Sequence, residues 1–404
     1  MIPVDQPHPL LGGLTPERFM RRHWQKKPLF VAGALAGVEP PIPVPGLFDL
    51  AGRDGVESRL VRRTRLSPGS LARDDRWTVR HGPIPRRSLP PRRQRDWTLL
   101  VQGVDLHSDD AHALLQPFRF APDARLDDLM VSFATEGGGV GPHVDSYDVF
   151  LLQLHGCRRW RVGPVADASF VPDLPLRILG HFEPTEEWLC RPGDLLYVPP
   201  GWGHDGVAEG GECVTASVGY RAPAAAGLAT ELLQRLLDAH DAEEAGRLYR
   251  DPAQSATGTP AAIPDALQRF AGDSVRRWLG SPAALQRELA LALGEVMSEP
   301  KPGVWFDAAS QDASRLGRAS TLASQGVRLD RRTRMLHDAQ HVFINGEAFT
   351  VGGRDGRLLR LLADQRRLTA ADVARLGPDA RQALEDWQAN GWLHPTADDR
   401  GAGS

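Results

Sequence analysis

Between about residues 59 and 222 the apolar stretches are short and are broken by Gly, Pro and Asp. "DLMVSFAT", "DVFLLQLHG", "RRWRVG", "DLLYVPP" and "ECVTASVGY" each read as a strand, rich in Val, Leu, Phe and Tyr and bounded by turn residues. Strands in such number, with no strong helical period between them, must bury their apolar faces against one another. The predicted architecture is therefore mainly β with α, an antiparallel sandwich or barrel of the jelly-roll, double-stranded β-helix type.

The flanks read differently. "TPERFMRRHW" (15–24) is a short helix, with Thr15 as N-cap and Pro16 at its first position. After "RAPAAAG" (221–227) the period becomes helical, and Leu228, Leu232, Leu233, Leu236 and Leu237 form one stripe. "DALQRFAGDSVRRWLG" and "SPAALQRELALALGEVM" continue that pattern, so these helices cover the barrel or a second subunit. "HVFINGEAFTV" predicts a hairpin around Asn345–Gly346; with the later helices and "GWLHP" it forms a small winged-helix module. The expected division is 1–222 for the barrel with its N-terminal extension, 223–318 for a helical linker and dimerisation region, and 319–396 for the winged helix. A disordered tail is expected over 397–404.

Length and composition narrow the class. A chain of 404 residues suggests more than one domain, and 41% hydrophobic with 25% charged residues is a globular composition. A net charge of -3 supplies no overall attraction to nucleic acid or an anionic membrane. The basic runs "RRTR" (62–65) and "PRRQR" (91–95) are either a local patch or a solvated surface. Cys157, Cys190 and Cys213 lack metal-site spacing and cannot all pair, which fits a reducing compartment. With no secretory pattern at the N-terminus and no apolar run of membrane-spanning length, the expectation is a cytoplasmic protein.

Chemistry concentrates around "GPHVDSYDVF" (141–150), which follows Gly137-Gly138-Gly139. His143 and Asp145 stand at i and i+2, on the same side of a strand. His204 follows sixty-one residues later, after the tight turn Pro199-Pro200-Gly201 in "PGDLLYVPPGWGHDGV". Two histidines and a carboxylate form a facial metal site with open positions, the ligand set of non-haem iron oxygenases. A co-substrate such as 2-oxoglutarate would chelate that iron and need a cation for its far carboxylate. "CRRWRVG" offers one, since arginine's planar fork matches a carboxylate. Arg158 and Arg159 lie on opposite faces of a strand, and the residues alone leave open which one faces inward.

At this point a resemblance adds to the reading. "LGGLTPERFMRRHWQKKPLFVAGA", "DLMVSFATEGGGVGPHVDSYDVFLLQLHGCRRWRVG" and "PGDLLYVPPGWGHDGVAEGGECVTASVGYRAP" resemble the bacterial JmjC-type ribosomal oxygenases, which are cupin-like. "SRLV", "WTVRHGP" and "DWTLLVQGV" also fit, and "VFINGE" and "ANGWLHP" resemble that family's winged helix. The resemblance implies that His143, Asp145 and His204 are the iron(II) ligands and the catalytic centre. It implies that Arg158 takes the far carboxylate of 2-oxoglutarate, that Ser132 also contacts this co-substrate, and that dioxygen is the second co-substrate. The implied reaction is hydroxylation of the β-carbon of an arginine in large-subunit ribosomal protein L sixteen, by a homodimer. The loop "RLSPGSLARDD" (65–75) and the residues Trp202 and Asp205 depart from the usual family pattern, which bears on the target more than on the chemistry.

Beyond these, Ser217 and Tyr197 are candidate pocket residues, and Trp160 and Trp202 are expected to pack. Glu136, Asp148 and Asp205 are the acidic groups nearest in sequence that would meet a guanidinium. Two rival readings remain. One is a related oxygenase acting on histidine or asparagine of another protein, or on tRNA; the other is a non-enzymatic regulator using the winged helix. "RRLTAADVARLGPDARQALEDWQANGW" is nearly charge-balanced, so direct DNA binding is not expected.

Overall fold

The computed structural model describes residues 2–67, 69–239, 248–256, 259–307 and 325–396. The N-terminal extension supplies α1 (Pro16–Arg22), β1 (Leu29–Val31) and α2 (Val44–Leu50). Thr15 caps α1, its hydroxyl accepting from the Arg18 amide, and Pro16 occupies the first turn as the capping signal predicts.

The barrel is built from β2 (Ser58–Thr64), β3 (Arg76–His81), β4 (Trp97–Val101), α3 (Asp109–Leu115), β5 (Leu126–Ala134), β6 (His143–Val144), β7 (Val149–Pro164), β8 (Glu186–Cys190), β9 (Leu195–Val198) and β10 (Trp202–Tyr220). These join in the order β1-β9-β7-β10-β5-β4-β2-β3, with β6 on β10 and β8 on β7. All the pairings are antiparallel. The fold is the expected jelly roll. Its core is aromatic: Phe19, Trp97, Phe133, Phe150, Tyr197 and Tyr220 are fully enclosed, each burial being worth roughly 1.5–3 kcal/mol.

Three strand expectations need correction. "DVFLLQLHG" and "RRWRVG" are not two strands but one, β7, bent at Gly156. Gly156 has φ 63°, and a Cβ there would collide with the Glu212 carbonyl, so the bend requires glycine. "ECVTASVGY" is only the second half of β10, whose first half carries His204. Conversely, "GPHVDSYDVF" is not a single strand start: β6 ends at Val144, and a loop separates it from β7.

Beyond the barrel come α4 (Ala225–Ala239), α5 (Asp265–Trp278) and α6 (Pro282–Ser298). The leucine stripe on α4 packs only in part, with Leu236 buried but Leu233 and Leu237 more than half exposed. The C-terminal module comprises β11 (Val327–Leu329), β12 (Met335–His337), β13 (His341–Ile344), β14 (Glu347–Thr350), α7 (Gly353–Gln365), β15 (Arg367–Leu368), α8 (Ala370–Ala374), α9 (Pro378–Ala389) and β16 (Leu393–Pro395). Asn345 and Gly346 both take positive φ in the β13–β14 turn, as a two-residue hairpin demands. The expected division near 318 and the tail 397–404 lie outside the described residues.

Four arginines of the basic runs are paired locally. Arg63 pairs with Asp75, Arg65 with Asp96, Arg92 with Glu212 and Arg95 with Glu136. All three cysteines are free, and no helix among the described residues is long and apolar enough to cross a membrane.

Candidate functional site

β10 lies antiparallel to β6 with His204 directly opposite His143, so the sheet register itself brings the two imidazoles together. Their ring centroids are 4.1 Å apart. Asp145 stands in the loop just past β6, and its carbonyl accepts from the Gly201 amide at 3.0 Å. That bond ties the loop carrying Asp145 to the turn that delivers His204. The glycine run before β6 is needed for closeness, because a Cβ on Gly139 would strike the Gly206 carbonyl of β10.

Each histidine donates from Nδ1 to a main-chain carbonyl, His143 to Gly141 at 2.9 Å and His204 to Trp202 at 3.2 Å. This sets the tautomer and leaves both Nε2 lone pairs free. The Nε2 atoms face Asp145 Oδ2 at 3.9 Å and 3.5 Å. Burial, then the neighbouring His143 ring, pushes the His204 pKa down to about 4 against the pull of Asp145. His204 is therefore neutral near pH 7. One donor atom from each of the three residues lies within 4.8 Å of the others. Two imidazole nitrogens and one carboxylate suit a divalent ion such as iron(II) and leave coordination positions open.

These residues line a cavity of about 450 Å³ that also receives Ser132, Arg158, Trp160 and Ser217. The choice between the paired arginines is settled by their surroundings. Arg159 points outward to Glu209 and Glu187, at 2.6 Å and 2.8 Å. Arg158 points inward and is 5% exposed; its Nε and Nη2 have no partner. A buried guanidinium with unsatisfied donors is costly unless an anion completes it. The chamber thus fits a metal and a carboxylate ligand together. Ser132 is buried, its hydroxyl 3.4 Å from the Thr215 carbonyl.

Other expectations are corrected. Tyr197 is not a pocket residue: it is enclosed in the core, donating to Asp148 at 2.6 Å. Glu136 accepts from the Gly211 amide, Asp148 also accepts from Gln25, and Asp205 lies 3.8 Å from Arg161; none of the three lines the cavity. The acidic wall is instead Asp127 and Asp128, held by Lys301 at 3.1 Å and 2.9 Å. Trp160 and Trp202 pack as expected, although Trp160 also faces the cavity, under Arg158. Arg59 and Tyr147 line the chamber too and were not singled out from sequence. Tyr147 lies inside "GPHVDSYDVF" and was within reach of that reading; Arg59 needs the strand register to be found.

A JmjC domain model matches residues 113–228, and a ROXA-like winged helix model matches residues 276–394. The chain is 39% identical over 250 residues to the ribosomal protein uL16 3-hydroxylase of Escherichia coli strain K12, which is 61% of this chain and 62% of that protein. An X-ray structure of E. coli ycfD superposes with a TM-score of 0.78 at 30% identity, covering 94% of this chain and 98% of that one. A structure of YcfD, a ribosomal oxygenase from E. coli, in complex with cobalt and 2-oxoglutarate, matches with a TM-score of 0.75 at 30% identity, covering 94% and 98%. Barrel, winged helix and the placement of both along the chain agree: this chain belongs to the ribosomal oxygenases, JmjC proteins with a ROXA-like winged helix.

Proposed function

We propose that this chain is an iron(II)- and 2-oxoglutarate-dependent hydroxylase acting on the β-carbon of an arginine in ribosomal protein uL16. The observation that carries the reading is the unpartnered Arg158 guanidinium, buried in the cavity that holds His143, Asp145 and His204. His143, Asp145 and His204 would hold the iron, and Arg158 would take the far carboxylate of 2-oxoglutarate with Ser132 beside it. Iron and 2-oxoglutarate held there would supply the oxidising power for dioxygen to hydroxylate a C–H bond, with succinate and carbon dioxide as the other products. The protein's part is geometry. The two Nδ1 bonds keep the imidazoles in the metal-binding tautomer. Trp160 screens one side of Arg158 from water, which strengthens its hold on an anion.

The E. coli relative is a uL16 3-hydroxylase, and its family's solved complex contains 2-oxoglutarate. A ribosomal substrate would place the enzyme in the cytoplasm. Leu233 and Leu237, exposed on α4, support a homodimer through the helical region of the proposed division, 223–318. The winged helix over 319–396 would meet protein or ribosome rather than DNA.

The test is mass spectrometry of uL16 after incubation with iron-loaded protein, 2-oxoglutarate and air, alongside His143→Ala. A gain of one oxygen on an arginine, absent with the variant, is the expected result. Succinate without arginine hydroxylation would reject this substrate but keep an oxygenase; no succinate at all would reject the enzyme.

A further inference from the structure

Arg59 is one of three arginines lining the catalytic chamber, with Arg158 and Arg177, and it has no assigned task. It lies on β2, where alternate residues face the same way, and Arg59 and Val61 both line the cavity. The register sets Arg59 opposite Leu100 and Leu100 opposite Ser132, so β2, β4 and β5 present one continuous wall. Arg158 reaches the same chamber from β7.

Among the described residues no hydrogen bond or ion pair holds the Arg59 guanidinium, and its Nε is sealed from solvent without a partner. Nearby carboxylates do not relieve it. Asp127 and Asp128 share the cavity but are taken by Lys301, and Asp127 also by Arg221. Further along the same strand, Arg63 is matched to Asp75. Arg59 is thus a β2 arginine that lines the reaction chamber with no partner for its guanidinium among the described residues. A buried polar group left without a partner in a functional cavity points to a ligand.

We propose that Arg59 binds the polypeptide substrate by donating to a main-chain carbonyl next to the residue being hydroxylated. This rests on the function proposed above and adds the subsite that holds the substrate's backbone. With Asp127 and Asp128 already paired within the chain, Arg59 is left to meet an oxygen acceptor. A main-chain carbonyl is the acceptor any polypeptide brings, whatever its sequence, and one planar guanidinium edge can give it two bonds.

The test is steady-state kinetics of the iron-loaded, full-length protein with a uL16 peptide spanning the hydroxylated arginine, for Arg59→Met, Arg59→Lys and Arg158→Met. Arg59→Met should raise the peptide KM about tenfold or more, the loss expected for a charge-assisted bond, while the KM for 2-oxoglutarate stays at the wild-type value. Arg59→Lys should recover part of that loss, and Arg158→Met should show the opposite pattern. A peptide KM for Arg59→Met within about twofold of wild type would overturn the subsite, since such a change is under half a kcal/mol. So would a parallel rise in the 2-oxoglutarate KM, which would hand Arg59 to the co-substrate. If Arg59→Met does not fold, Arg59→Lys alone decides: a wild-type peptide KM with both donors displaced overturns the proposal. A wild type that hydroxylates no uL16 arginine would instead sink the function, and this subsite with it.

Discussion

Arginines in the catalytic chamber and arginines at the seam between barrel and winged helix have the same side chain and opposite lives. In the chamber, Arg158 and Arg59 are left with buried, unpartnered nitrogens. At the seam Arg331, Arg119, Arg366 and Arg334 each have at least one partner on the chain itself, although Arg334, which donates to the Leu126 carbonyl, also keeps a buried Nε without one. Arg331 donates to the Leu106 carbonyl and to Asp109, both at 2.9 Å, tying the C-terminal module to α3 and the turn before it. Arg119 donates in the reverse direction, to the Ala363 carbonyl of α7 at 3.2 Å. Arg366 donates to the carbonyls of Asp330 and Thr333. A satisfied guanidinium fastens two elements, whereas an unsatisfied one waits for an anion or a carbonyl from outside. Residue type does not separate structural from functional arginines here, nor does one unsatisfied nitrogen, since Arg334 and Arg161 have that too. What sets Arg158 and Arg59 apart is a place in the chamber and no hydrogen bond or ion pair to the described chain.

The largest effect is expected at Arg158. Replacing it with Met should raise the KM for 2-oxoglutarate on the order of a hundredfold, read from succinate formation against 2-oxoglutarate concentration. An unchanged KM would mean that the empty fork serves nothing.

Asp105 lies where the two regions meet, lining a small pocket beside Arg331 and Arg366 and standing behind Asp128 of the chamber wall. Burial first, and Asp128 second, raise its carboxyl to about 7. The folded state therefore holds a proton that the unfolded state gives up, so stability is full below about pH 4 and declines as pH rises toward 7. Asp105→Asn mimics the protonated form and keeps an acceptor for the Leu129 amide. Its Tm advantage over the wild type should widen from about pH 4 to 7 and then level off. Parallel Tm-versus-pH curves would remove Asp105 from the account.

At the seam, Arg331→Ala should cost about 1–2 kcal/mol in thermal unfolding while leaving the KM for 2-oxoglutarate unchanged at low temperature. A changed KM would show that seam and chamber are coupled. The smallest effect belongs to Arg159→Ala, which removes solvent-facing pairs to Glu187 and Glu209. Its Tm and 2-oxoglutarate KM should match the wild type, in contrast with Arg158→Met on the opposite strand face.

Much of this was legible along the chain. His143, Asp145 and His204 are short-range features: a two-residue spacing, and a histidine delivered by a Pro-Pro-Gly turn. The hairpin at Asn345–Gly346 and the Thr15 cap were legible for the same reason, since turn and cap chemistry is local. Strand ends were not. Nothing in "LHGCRR" says that the strand continues through Gly156, because that continuity is created by the long partner β10. Glu136, Asp148 and Asp205 were near the metal ligands in sequence yet face elsewhere, while Asp127 and Asp128 reach the chamber from β5.

The ligand set, the jelly-roll strands, the helical region and the winged-helix elements follow from local pattern and period along the chain. The sequence also required that Arg158 and Arg159 face opposite ways, since consecutive strand residues must. Which of them turns inward, and that Arg59, eighty-four residues before His143, shares its chamber, emerges from strand pairing in three dimensions. The physical reason is that alternation sets relative direction within a strand, while absolute direction comes from register with strands distant in the chain.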